Sequence, residues 1–502
     1  MGYSTRRDFL KTVGWGALGI SLKACRSSGE KKQRPNIVLI TADDMNYNSP
    51  GCYGSTIPVI TPNIDRLAEE GMRFSHAHVN IAVCQPCRQS LLTGRYAFRH
   101  GGEGFNPIWL EVPTLSEQLR AAGYWNGILG KEKHLKPDSK FCMDYVRGEK
   151  ALASGMGIGR DPAKYKAFAR EFFNQACARG KSFFLMANAH DPHRPFAGSK
   201  NEKKSWGKDL PEVRRWITEK EVIVPGFLPD IPDVRKEIAQ YYTSVYRCDE
   251  VVGSILEALD ESGCRENTLV MFLSDNGMSF PFAKANCYLN STKTPWIVRW
   301  PGKIQAGSVN HKDFISGIDF MPTVLKIVDL PQIDGMDGRS FVPLLQGKSQ
   351  PGRDSVFTEF HQTSAKNRYP MRCVQTVQFG YIFNFWPDGQ TKMTMDSTSG
   401  LSFKAMQKAA LKNKEIESRV RLFSYRIPEE FYKLDSDPDA LENLIQNPRF
   451  SDEIEVFRKR LEAYMAKTGD PALEAYRHRK NQDEIARFMQ EQRIKSGKKN
   501  IP

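Results

Sequence analysis

The residues best equipped for chemistry lie in one short run, Cys84-Gln85-Pro86-Cys87-Arg88-Gln89-Ser90-Leu91-Leu92-Thr93-Gly94-Arg95. A thiol stands ahead of a proline, whose fixed φ suits the first turn of a helix. The apolar run that follows stops at Gly94, so Cys84 is predicted just before a helix N-terminus. Unpaired backbone N–H groups and the helix dipole favour an anion there. Arg88, one turn on, adds a planar two-pronged cation suited to sulfate or phosphate oxygens. The stretch predicts an anion site with a reactive sulfur in it. The Cys84-x-x-Cys87 spacing also suits half a zinc knuckle or a redox pair, but no second CxxC completes four ligands.

Several elements are predicted to position further polar groups around this run. Asn36 to Ala42 is an apolar, β-branched stretch that ends at Asp43-Asp44, the pattern of a buried parallel strand with acids at its carboxyl end. Open α/β sheets bind ligands at that end. Adjacent carboxylates there are costly unless paired or metal-bound, although the pair alone reads equally well as an exposed turn. Trp125 to Leu129 is a second strand, leading to Gly130-Lys131-Glu132-Lys133-His134. Ser182 to Ala189 is a buried strand that delivers His190-Asp191-Pro192-His193-Arg194, and Thr268 to Leu273 delivers Ser274-Asp275-Asn276-Gly277. Pro295 to Trp300 is a further buried strand. Helices are expected over Thr61–Gly71, with a Thr cap and Pro at the first position, and from Val234 to Ser262. This alternation predicts an α/β fold with a largely parallel sheet flanked by helices over 35–346. A turn-rich boundary at Gln346–Gly352 precedes a smaller α+β subdomain over 347–475, with alternating segments in Val374–Phe385 and a long helix at Ser451–Lys467. Residues 476–502 read as a charged, frayed helical tail.

The 502 residues carry a net charge of +14, which invites a nucleic-acid reading. Residues 1–34 supply +6 of it and 476–502 supply +5, leaving about +3 for the body, so nucleic-acid binding is not expected. Ten cysteines at irregular spacing do not make a disulfide scaffold. Within 1–34, Arg6-Arg7-Asp8-Phe9-Leu10-Lys11 and the small apolar run Val13–Ile20 have the pattern of a twin-arginine export signal followed by a linker. Leu22-Lys23-Ala24-Cys25 is similar to a lipoprotein cleavage box, with Cys25 as the candidate lipid acceptor, although Lys23 suits such a box poorly. An exported protein is expected, in the periplasm or at the cell surface, with or without a lipid anchor.

Together these segments resemble the type I sulfatase family, of the alkaline phosphatase-like superfamily. Cys84-x-Pro86-x-Arg88 with Leu91-Leu92-Thr93-Gly94, Asp43-Asp44, Gly130-Lys131…His134, the His190 strand and Asp275-Asn276-Gly277 appear in the family's order. The likeness runs from about Asn36 to Lys467. It is strongest to the heparan N-sulfatase (N-sulfoglucosamine sulfohydrolase) branch, through His190–Arg194, Ser274–Pro281, Val222–Pro225 and Tyr369–Arg372. The resemblance implies that Cys84 is oxidised by a maturation enzyme to formylglycine, whose hydrate is the nucleophile. It implies calcium, in preference to magnesium, held by Asp43, Asp44, Asp275, Asn276 and position 84. All-oxygen ligation fits either ion. Arg88, Lys131 and Lys284 would meet sulfate, His190 would protonate the leaving group, and His134 would take the second proton of the hydrate. Taken singly, each lysine reads as a solvated surface residue and each histidine as a satisfied core residue.

Three departures from the pattern stand out. Cys87 replaces a serine. The Gly-Lys-x-His motif is one residue longer, leaving Lys131 or Lys133 as the sulfate contact, with Lys131 preferred. Lys284 stands where N-sulfatases carry arginine. The implied substrate is a sulfated carbohydrate, with His193, Arg194, His361 and Arg372 as candidate substrate contacts; a homodimer is a further expectation. The alternatives are an O-sulfatase on another sulfated glycan, a phosphonate or phosphate ester hydrolase, and a non-catalytic glycan-binding relative.

Overall fold

β1 (Asn36–Ala42) is buried along its whole length, and its side chains alternate between two cores. Ile37 and Leu39 join one apolar cluster, Val38 and Ile40 the other. Successive strand residues face opposite sides of a sheet, so a strand apolar at every position must be covered on both faces. The computed structural model describes residues 34–153, 158–206 and 210–496. The export signal and Cys25 lie outside the described residues.

Around β1 stand β2 (Met72–His78), β3 (Trp125–Leu129), β4 (Tyr145–Arg147), β5 (Phe183–Asn188), β6 (Thr268–Ser274), β7 (Trp296–Arg299) and β8 (Ser308–Ser316). The sheet order is β4-β3-β5-β1-β6-β7-β2-β8. β5 and β6 flank β1 in parallel register, with Thr41 opposite both Asn188 and Leu273. β7 runs against both β6 and β2, a reversal that its apolar sequence does not signal. The strands predicted at Asn36–Ala42, Trp125–Leu129 and Thr268–Leu273 are present, as is the long helix, at Pro232–Glu261. The mostly parallel sheet flanked by helices is the architecture expected from the sequence.

A second, antiparallel sheet follows, formed by β9 (Val356–Gln362), β10 (Arg368–Gln375), β11 (Phe379–Asn384) and β12 (Glu429–Lys433) in the order β12-β11-β10-β9. Its buried residues Met371, Cys373 and Tyr381 belong to the same cluster as Val38 and Ile40. Residues 482–495, read as part of a charged tail, form a helix that buries Phe488 and Met489, with Phe488 packed 5.0 Å from Phe385. Its charge patterning obscured a short apolar stripe of Ile485, Phe488 and Met489.

Candidate active site

Cys84 is the first residue of the Cys84–Thr93 helix, which follows an extended Val83 and stops at a left-handed Gly94. Every residue of this helix is buried. His100 braces it from the side: its Nδ1 accepts from the Gly102 N–H, which leaves Nε2–H to donate to Ser90 Oγ at 3.0 Å. Burial pushes the His100 pKa down to about 3, with the Glu103 charge opposing only in part. The folded protein therefore keeps this ring neutral while the unfolded chain protonates below about 6.5. The unfolded state binds the extra proton, so this contribution is complete above pH 6.5 and is lost as pH falls towards 3. Lowering pH from 6.5 to 5 is expected to cost about 2 kcal/mol through this residue. His100→Gln should flatten that slope in urea midpoints measured across the interval.

The carboxyl ends of the strands converge on Cys84. Asp43 and Asp44 follow β1, and Asp44 adopts a left-handed backbone (φ 69°) with its N–H donating to Asp275 Oδ1. Asp275 and Asn276 follow β6. Gly277 comes next because its backbone lies against Asn290: a Cβ there would meet the Asn290 carbonyl at 1.9 Å. The Cys84 Sγ stands 3.2 Å from Asp43 Oδ1, 3.7 Å from Asn276 Oδ1 and 3.9 Å from Asp44 Oδ1. Burial, then the Asp43 charge, pushes the Cys84 thiol well above its ordinary value, so it is no thiolate nucleophile as it stands.

Three cations balance the buried acids. Arg88 donates through Nη1 to Thr41 Oγ1 at 2.5 Å and to Asn188 Oδ1, and through Nη2 to Asp275 Oδ2 at 2.6 Å. Lys131, left-handed after β3, pairs with Asp43 Oδ2. Lys284 Nζ lies 2.7 Å from Asp44 Oδ1 and 3.0 Å from Asp396 Oδ2. Burial would discharge Lys284, but Asp396 and Asp44 outweigh it and hold its pKa well above the ordinary value. Burial would likewise raise Asp43, and Lys131, His193 and Arg88 outweigh it and pull it down.

Lys131, Lys284, Cys84, His134, His190 and Asp396 share one cavity of about 480 Å³. Both ring nitrogens of His190 and the Nδ1 of His134 have no hydrogen-bond partner among the described residues. Buried polar atoms are rarely left so, and here they face a space that a polar ligand can fill. Burial first, then the Lys131 charge, holds both histidines well below their ordinary pKa. His193 and Arg194 also line the cavity. Arg194 is anchored to Glu237 at 2.5 Å and to the Ser279 carbonyl at 3.0 Å.

Asp43, Asp44, Asp275 and Cys84 can each offer an atom within 4.8 Å of the others. Three carboxylates and the Asn276 amide oxygen form a hard-oxygen set that fits calcium or magnesium and not a thiolate metal. Cys87 is packed in the apolar cluster with Leu91 and Leu92 and does not line the cavity.

The structure separates other candidates. Lys133 is exposed and lines a different cavity with Leu135 and Phe141, so the longer motif presents Lys131 to the site. Arg88 was expected to touch sulfate; it lies fully buried beneath the carboxylates and does not line the cavity. His361 is bonded to Glu359 at 2.7 Å, and Arg372 forms a two-pronged pair with Asp470 at 2.5 and 2.9 Å. Neither lines the cavity, because buried charged groups are spent on their own partners. Glu149 and Asp396 do line it and were missed in the sequence. Thr41 and Asn188 were also missed, although polar residues closing apolar strands are a usable signal. Asp396→Asn would leave Lys284 one charged partner short, and about a tenfold fall in kcat/KM is expected from steady-state kinetics.

Residues 35–330 match the sulfatase family profile, and residues 279–400 match the profile of the N-sulphoglucosamine sulphohydrolase C-terminal region. The chain is 30% identical over 483 residues to human N-sulphoglucosamine sulphohydrolase, covering 91% of this chain and 93% of that one. It is 27% identical over 441 residues to an ulvan-active sulfatase of Formosa agariphila, covering 87% and 81%. A solved structure in complex with D-glucosamine-2-N,6-O-disulfate shares the fold at a TM-score of 0.64 and 18% identity, over 88% of this chain and 99% of that one. The site at the strand ends and a profile match across most of the chain lead to one family: the chain belongs to the sulfatases, the sulfuric ester hydrolases.

Proposed function

We propose that this enzyme removes the N-sulfate of glucosamine from heparan-type glycans outside the cytoplasm. The observation that carries the chemistry is the single cavity where Cys84, two buried ammonium groups and two histidines with unpartnered ring nitrogens meet. The N-sulfated sugar is supported by the likeness to the human N-sulphoglucosamine sulphohydrolase, which extends into the C-terminal region.

A sulfate ester or sulfamate repels nucleophiles through its own negative oxygens, so the site must concentrate positive charge and aim the attacking group. Formylglycine at position 84 would supply an aldehyde hydrate as that group, made by a maturation enzyme acting on Cys84. Calcium, or less favourably magnesium, held by Asp43, Asp44, Asp275 and Asn276 would supply further positive charge. Lys131 and Lys284, which both line the cavity, bind the sulfate oxygens. Arg88 holds Asp275 and Asp43 in place from below. His190 donates a proton to the departing nitrogen; an anionic substrate beside Lys131 opposes the push that keeps the free imidazole neutral. His134 accepts the proton released at position 84. Arg6-Arg7 and the apolar run after them support export by the twin-arginine route, with Cys25 as a lipid acceptor.

Lys284 in place of the N-sulfatase arginine favours a second reading, an O-sulfated sugar, because it changes the cation beside the leaving group. Free sulfate release from glucosamine N-sulfate and from 6-O-sulfated glucosamine separates the two. Release from the first is expected; release from the second alone rejects the N-sulfatase reading. A peptide mass at Cys84 that shows an unmodified thiol, in active protein from a maturation-competent host, rejects the formylglycine chemistry.

A further inference from the structure

Two cysteines far from the cavity lie side by side. Cys177 is in the last turn of the Pro162–Ala178 helix, and Cys264 is in the turn between the Pro232–Glu261 helix and β6. Their sulfurs are 3.2 Å apart. Cys177 is exposed and Cys264 half-buried, so reagents reach the pair in the folded protein. The backbone is held on both sides. The Cys264 carbonyl accepts from Thr268 Oγ1 at 2.7 Å, its N–H donates to Ser262 Oγ at 3.2 Å, and Lys166 ties the two helices through Glu257 and Glu261 at 2.8 Å.

We propose that Cys177 and Cys264 form a disulfide once the folded chain meets an oxidising compartment. This assignment rests on the export reading for its setting, not on the sulfatase chemistry. Bonded sulfurs lie about 2.05 Å apart, so side-chain rotations closing about 1 Å suffice. Burial, and the hydrogen bond with Cys264, push the Cys177 thiol up to about 11, so at neutral pH it rests as a thiol. The oxidant is an accessible disulfide, small or carried by a protein. One cysteine attacks it as thiolate and expels one of its sulfurs as a thiol; the second cysteine then displaces the other sulfur. The chain loses two protons and two electrons, and the oxidant leaves as two thiols.

The bond would join the helix end that leads into β5 to the turn that leads into β6. Both strands present their site residues at the opposite, carboxyl ends. The effect is therefore a staple on the distal edge of the fold. The long loop it closes constrains the unfolded chain, raising stability without altering turnover.

Purified full-length protein should be treated with oxidised glutathione, alkylated and mapped without reduction. A peptide linking Cys177 to Cys264, with two fewer alkylated thiols, is expected. The thermal midpoint of the oxidised protein should fall by several degrees on adding dithiothreitol, and that fall should vanish in Cys264→Ser and in Cys177→Ser. Free alkylation of both cysteines, separate glutathione adducts on each, or linkage of either to a different cysteine would overturn the assignment. The mapping needs no variant and no active enzyme, so a failure here is distinct from a failure of the proposed function.

Discussion

Replacing Cys84 by alanine is expected to lower sulfate release at least about 10⁴-fold, equivalent to more than about 5 kcal/mol of barrier. The reason is the architecture around the sulfur. Position 84 opens a fully buried helix, and its sulfur is set against Asp43, Asp44 and Asn276, where the proposed nucleophile would form. Cys87, packed in the apolar cluster and absent from the cavity lining, is not placed to replace it. Alanine removes one atom from a packed site, so stability should change by less than about 1.5 kcal/mol. Lys131 and Lys284 remain, so a sulfated sugar should still bind the variant. Calorimetric binding with turnover abolished is the expected signature. A variant that keeps more than a hundredth of the parent rate would exclude position 84 as the nucleophile.

The second large effect belongs to Arg88. Its guanidinium is wholly buried and joins the ends of three neighbouring strands, through Thr41 on β1, Asn188 on β5 and Asp275 after β6. Arg88→Ala strands Asp275 beside Asp43 and Asp44 with no cation below them. Breaking a buried ion pair by deleting one partner costs about 3–5 kcal/mol. Because the same carboxylates set the geometry around position 84, turnover should fall by about 10³-fold as well. Arg88→Lys keeps the charge but cannot span three partners, so it should recover part of the stability and little of the rate. Urea midpoints and kcat measured on the same preparations distinguish these effects. An Arg88→Ala protein with both unchanged would mean that Arg88 does not hold the acidic cluster.

The two predictions differ in kind because the site has two layers. The upper layer faces the cavity and carries Cys84, Lys131, Lys284, His134 and His190. The lower layer, with Arg88, Asp275, Thr41 and Asn188, is buried and fixes the upper one. The sequence motifs contain members of both and do not distinguish them.

Much of this protein could be derived from its sequence alone. The β-branched run Asn36–Ala42 is at once strand, core and delivery of Asp43-Asp44, because a strand buried on both faces must be continuously apolar and a charged residue ends it. The start and stop of the Cys84 helix follow from Pro86 and Gly94 by backbone sterics. The ordered motifs identified the family, since each sits at a strand end that one topology brings to a common edge. Other features depended on tertiary packing. Asp396 meets Lys284 across 112 residues, from a C-terminal segment with no local mark of a site. Lys131 was separated from Lys133 only by a left-handed turn that buries one and exposes the other. His361 and Arg372 had the right chemistry for a sugar, yet Glu359 and Asp470 had already claimed them. Local patterning encodes what each segment must bury and where it must stop; which polar groups are left facing the cavity is decided by partners brought in from distant parts of the chain.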